Sequence, residues 1–153
     1  LILPPDIIMN KKSKIFLYYW LPLLLYCILI YSLSSNKYPS NVPQIFFMDK
    51  LIHFFAYAFL GLLVIRAFST IRLKENMVLL IIISIFLSTL YGISDEIHQY
   101  FVPYRCADIN DIFANLFGSA FGVYLYYFFY IKYSFPSLFP GLTNLFKFCK
   151  KNK

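Results

Sequence analysis

Charge is scarce in this chain, and negative charge is scarcest. Of its 153 residues only 14% are Asp, Glu, Lys or Arg, seven of them acidic, while 60% are hydrophobic. Soluble domains are nearer half apolar and about a quarter charged, so this composition reads as an integral membrane protein with no room for a soluble domain beside it. Cysteine is also thin. Cys27, Cys106 and Cys149 are odd in number and lack metal-ligand spacing, which excludes a disulfide framework and a thiolate metal site. The formal charge of +7 does not point to nucleic acid, because Lys and Arg gather at the ends of apolar runs rather than on a face interleaved with aromatics.

What is present is long hydrophobic runs, at about 15–33, 51–68, 77–99 and 110–131. Each approaches the ~20 residues that a crossing helix needs. The expected fold is therefore all-α, a four-helix transmembrane bundle over 15–131, preceded by a basic N-terminus (1–14) and followed by a basic, aromatic tail (132–153). That tail, interrupted by Pro136 and Pro140, is expected to lie in the membrane interface. Met9-Asn10-Lys11-Lys12 reads as a natural start, and the first run, at ~19 residues, exceeds a signal-peptide core and reads as an uncleaved helix. Residues 34–50, with Pro39 and Pro43, read as a loop, 69–76 as a short basic link, and Asp108 as the N-cap of the last helix.

Positive charge near helix ends sets orientation. Lys11, Lys12, Lys14, Arg66, Arg72, Lys74, Lys132, Lys147, Lys150, Lys151 and Lys153 fall on one side, against Lys37, Lys50 and Arg105 on the other. Both termini are expected to be cytoplasmic, with 34–50 and 100–107 outside.

Five of the seven acidic residues and both histidines occur in two stretches on that outer side. One is Asp49-Lys50-Leu51-Ile52-His53, and the other is Asp95-Glu96-Ile97-His98-Gln99 running on to Asp108 and Asp111. Helical spacing puts Asp49, His53, Tyr57 and Gly61 on one face. It does the same for Ser84, Ser88, Tyr91, Gly92, Asp95, His98 and Gln99, and for Asp108, Asp111, Asn115, Gly118 and Gly122. Ionisable groups are costly against lipid, so the three stripes are expected to face one another around a polar pocket at the outer leaflet. Simpler roles are open to individual members. Gly118 and Gly122 suit close helix packing, Ser84 and Ser88 suit bonds to their own backbone, and Arg105 with Asp111 suits a neutralising pair.

Asp49, Lys50, His53, Glu96, His98, Gln99, Arg105, Asp111 and Asn115 are the candidate ligand-binding residues, with Lys50 and Arg105 expected to meet anionic groups. Asp95, Glu96 and His98 are the catalytic candidates, since a carboxylate beside an imidazole can share acid and base roles. No serine or cysteine stands in an activating setting, and whether the protein is an enzyme stays open. No cofactor is called for. The oxygen and nitrogen donors could hold a divalent ion but lack a tight metal motif.

The blocks Asp49-Lys50-x-x-His53-Phe54 with Tyr57, Asp95-Glu96-x-His98-Gln99-x-Phe101-x-Pro103-x-Arg105 and Asp111-x-x-x-Asn115-x-x-Gly118 resemble the VanZ-like family of small bacterial membrane proteins. The resemblance covers about Asp49 to Gly122. It implies a multi-pass protein of the bacterial inner membrane and an association with resistance to glycopeptide antibiotics of the teicoplanin type. One departure is Tyr104, where the family usually has Gly after the proline. Tyr adopts positive φ poorly, so a type I turn that slightly re-aims Arg105 is expected there. The leading expectation is a protein that binds or modifies an amphiphilic envelope component, either a membrane lipid, a lipid-linked wall precursor or the glycopeptide itself. A membrane-embedded transferase or hydrolase is the first alternative, and a small transporter the second.

Overall fold

The computed structural model describes residues 10–36, 46–103, 105 and 107–132. The start at Met9, the loop prolines Pro39 and Pro43, the Tyr104 turn and the tail beyond Lys132 lie outside them.

Among the described residues the chain is helical without strands. Four helices are long and apolar enough to cross a membrane. They are α1 (Lys11–Ser34), α2 (Phe46–Phe68), α3 (Met77–Tyr100) and α4 (Ile109–Tyr126). A 3₁₀ turn, Arg72–Glu75, joins α2 to α3. The helix starts are set by polar caps. Asn76 Oδ1 accepts from the Leu79 N–H at 3.0 Å, and Asp108 Oδ1 accepts from the Asn110 N–H at 2.9 Å. The α2 helix begins earlier than its apolar run, because Asp49 lies in its first turn, where a carboxylate complements the helix dipole. Within α1 the turn Phe16–Trp20 is widened to a π-helix, with the Leu21 N–H bonding to the Phe16 carbonyl. Pro22 follows at once, and a proline that lacks its N–H and crowds the carbonyl four residues back loosens the ladder at that place.

The helices run alternately up and down. At one end, Trp20 Nε1 donates to Thr70 Oγ1 at 3.2 Å, and the Arg66 guanidinium lies 4.9 Å from the Tyr19 ring centre, fastening α1 to the end of α2. The acidic and histidine-bearing stretches all sit at the other end.

Helices α2 and α4 approach most closely, and small residues allow it. A Cβ added at Gly118 would strike the Phe54 carbonyl, one at Gly122 the Ala58 carbonyl, and one at Gly61 the Ser119 backbone. The half of the bundle away from the acidic end is sealed by Ile65, Leu80, Val123 and Tyr126. Phe55, Phe86, Phe117 and Ile28 point outward, as a lipid-facing surface requires.

Candidate functional site

Three helix ends build a buried polar cluster in two tiers. At the mouth, Lys50 of α2 reaches across to α4 and donates to Asp108 Oδ2 at 2.7 Å and Asp111 Oδ1 at 2.6 Å. Asp108 therefore caps α4 with one oxygen and holds Lys50 with the other. The Lys50 ammonium, helped by the Asn110 N–H, keeps the Asp108 carboxyl below its ordinary value.

The floor lies about one turn deeper. His53 Nδ1 is 3.1 Å from Asn115 Oδ1 of α4 and 3.6 Å from Glu96 Oε1 of α3. The other Glu96 oxygen accepts from the Asp108 N–H at 3.4 Å, so α3 and the start of α4 share one carboxylate. Asp95 Oδ2 accepts from Gln99 Nε2 at 3.1 Å. The Tyr57 ring lies parallel to that of His53 with centroids 6.4 Å apart. Gly92 makes the floor possible, since a Cβ there would press on the Asn115 side chain and the Tyr57 ring.

His53, Asp95, Glu96, Gln99, Asp111 and Asn115 are all buried. Within this floor Glu96 Oε1, Tyr57 OH and Asn115 Nδ2 are buried without a hydrogen-bond partner among the described residues. Most buried polar groups in proteins are paired, so three such atoms in one place mark hydrogen-bonding capacity left unused among the described residues. Two overlapping sets could hold a metal ion, His53 with Asp95 and Glu96, and His53 with Asp49 and Asp111. In each set the donor atoms lie within 4.8 Å of one another.

The remaining candidates lie toward α1. His98 is turned away from the floor. Its Nε2 is 3.0 Å from Ser35 Oγ, and its ring packs on Tyr31 with centroids 4.6 Å apart. Arg105 donates from Nη1 to Gln99 Oε1 at 3.2 Å, from Nη2 to the Leu33 carbonyl and from Nε to the Asn36 carbonyl, both at 3.3 Å. A guanidinium at the carbonyl end of a helix both satisfies orphan acceptors and complements the dipole. Arg105 thus clasps the end of α1, and Gln99 links that clasp to Asp95.

Sequence reasoning brought the right stretches together and erred on partners. The Arg105 and Asp111 pair does not form, because Lys50 takes Asp111 and Arg105 takes α1. Lys50 and Arg105, expected to meet anionic groups, are engaged by the protein itself. The cluster also borrows from the end of α1, through His98 and Arg105, which was not expected. Tyr31 and Ser35 carry no motif that points to His98, and the carbonyls of Leu33 and Asn36 are invisible in a sequence. Ser84 and Ser88 do bond to backbone, donating to the Leu80 and Ser84 carbonyls at 2.7 and 2.8 Å.

Comparison with known proteins adds one positive finding. The family model described as VanZ/LLP1 matches residues 8–130. Neither a curated protein nor a solved structure matches the chain.

Proposed function

The chain belongs to the VanZ/LLP1 family, and from that premise we propose that its polar pocket binds or modifies the headgroup of an amphiphilic envelope component at the outer leaflet. The observation that carries this reading is the floor beneath Lys50. Glu96, Tyr57 and Asn115 each keep a buried polar atom without a hydrogen-bond partner among the described residues, inside a bundle whose other half is sealed by apolar side chains. A purely structural cluster would pair these atoms, and a ligand headgroup would use them.

The eleven-to-three charge bias supports an orientation with both termini cytoplasmic in a bacterial inner membrane, which sets the pocket outside. A lipid-linked wall precursor, a membrane lipid or a lipid-tailed glycopeptide can keep its tail in the bilayer while its headgroup enters between α2, α3 and α4. Protection against teicoplanin-type antibiotics would be one outcome of such binding. The 3.6 Å approach of His53 to Glu96 favours a second reading, in which the same pair moves a proton during transfer or hydrolysis on the headgroup. Transport is disfavoured. Ser84 and Ser88 bond to their own helix, and Ile65, Leu80 and Val123 close the path beyond them.

The test is Glu96→Gln in cells that depend on the protein, with teicoplanin susceptibility and envelope integrity as readouts. Loss of the phenotype at normal protein abundance is expected. Full activity at normal abundance would refute the assignment.

A further inference from the structure

We propose that His53, Asp95 and Glu96 form a binding site for one divalent transition-metal ion of the zinc or manganese kind. The inference rests on the reading of the pocket as a headgroup site and gives it a means of holding a phosphate or carboxylate.

The first support is charge. Asp95 and Glu96 are adjacent in sequence and both buried, and the polar groups against Asp95 are neutral, the Gln99 amide and the Tyr57 hydroxyl. The full cations nearby are engaged elsewhere, Lys50 by Asp108 and Asp111 and Arg105 by Gln99 and the end of α1. Two carboxylates taken from water with one imidazole between them call for another positive charge.

The second support is geometry. Tetrahedral zinc with bonds of about 2.0–2.2 Å holds its donors about 3.4 Å apart. His53 Nδ1 and Glu96 Oε1 stand 3.6 Å apart. That spacing is long for a hydrogen bond and suited to two donors on one ion. One donor atom from each of the three residues lies within 4.8 Å of the others, so small side-chain rotations complete the set. The orphaned Glu96 Oε1 is the atom that faces the imidazole, and Tyr57 OH and Asn115 Nδ2 remain as donors to a metal-bound water or headgroup oxygen. The rival set with Asp49 and Asp111 is weaker, since Lys50 at 2.6 Å already neutralises Asp111. One nitrogen and two carboxylates are a borderline-to-hard donor set, which suits zinc or manganese.

An ion at this place also resolves a difficulty of charge. A pocket with this many carboxylates repels an anionic headgroup, and a divalent ion with open positions would bridge the two.

The test uses the full chain in lipid nanodiscs, freed of any affinity tag and treated with chelator, then titrated with Zn²⁺ and, in parallel, with Mn²⁺ followed by electron paramagnetic resonance. Saturable binding of one ion per chain is expected. Glu96→Gln, Asp95→Asn and His53→Gln should each weaken it more than about tenfold, and His98→Ala should leave it unchanged. X-ray absorption on the zinc-loaded wild-type protein, which needs no variant to fold, should show nitrogen and oxygen ligands without sulfur. Absence of saturable binding, sulfur ligation, or binding lost with His98 and kept without His53 or Glu96 would overturn the proposal. Absent binding together with loss of the envelope phenotype in Glu96→Gln would reject the ion and leave the headgroup reading standing. Binding as expected together with a fully active Glu96→Gln in cells would establish the ion and reject the headgroup reading.

Discussion

The Lys50 ammonium lies 2.6 Å from the Asp111 carboxylate, joining α2 to α4 across 61 positions of sequence. Asp111 is buried, so this pair is more than a surface contact. Lys50→Met should destabilise the protein by about 2–3 kcal/mol, below the usual 3–5 for a broken buried pair because the lysine side chain keeps 20% of its exposure. Adding Asp111→Asn should recover much of that loss. Thermal unfolding in detergent of the two single variants and the double variant would show it, and strictly additive effects would contradict the pairing.

Strong acid should loosen the contact between Lys50 and Asp108. Asp108 is held below its ordinary value, chiefly by Lys50. A group whose folded pKa is depressed contributes stability above its unfolded value and loses that contribution as pH falls through the folded one. Melting temperature should therefore fall below about pH 4, and the fall should be shallower in Asp108→Asn. Identical acid limbs in the two proteins would count against the contact.

Glu96 and Arg105 should separate function from scaffold. Glu96→Gln keeps shape and removes charge, so the phenotype should vanish at normal abundance. Arg105→Lys keeps charge and loses the fork that grips Gln99 and the Leu33 and Asn36 carbonyls at and just beyond the end of α1, so its effect should appear as lower thermal stability. Removing these charge-assisted bonds should cost about 1.5–3 kcal/mol. Equal stability of Arg105→Lys and the parent would show that the clasp does not hold α1.

Helix propensity and packing oppose each other at Gly122. Glycine to alanine in a helix ordinarily stabilises by about 1 kcal/mol. Here the added methyl meets the Ala58 backbone, which cannot yield without moving α2. Gly122→Ala should thus destabilise by about 1–3 kcal/mol. A raised melting temperature would show that α2 and α4 do not pack this closely in the membrane.

The orientation proposed from charge is open to direct labelling. With Cys27, Cys106 and Cys149 replaced, an impermeant thiol reagent added outside intact cells should reach Asn36→Cys and not Lys74→Cys. Both positions are exposed, at opposite ends of the bundle. The reverse pattern would put the pocket on the cytoplasmic side.

How much of this was legible in the sequence depended on what carries each interaction. The four crossings were readable because about 20 apolar residues have few other uses, and the Gly118 and Gly122 spacing read correctly as close packing. Glu96 was not on the α3 stripe drawn from helical spacing. It is buried because Gly92 and Glu96 share an arc toward α4 while Asp95 and Gln99 take the neighbouring arc. Partner choice was the least legible. Arg105 is close to Asp111 in sequence and Lys50 is 61 positions away, yet Lys50 takes the carboxylate, because the packing of α2 on α4 brings them together.

The clasp on α1 has a consequence for how this protein can vary. Arg105 holds Leu33 and Asn36 by their carbonyls, which every amino acid supplies, and the Leu33 side chain faces outward. Positions 33 and 36 can drift in sequence and stay docked, unlike Tyr31 and Ser35, whose side chains meet His98. A mutational scan would record those two positions as tolerant, although Arg105 is anchored on them.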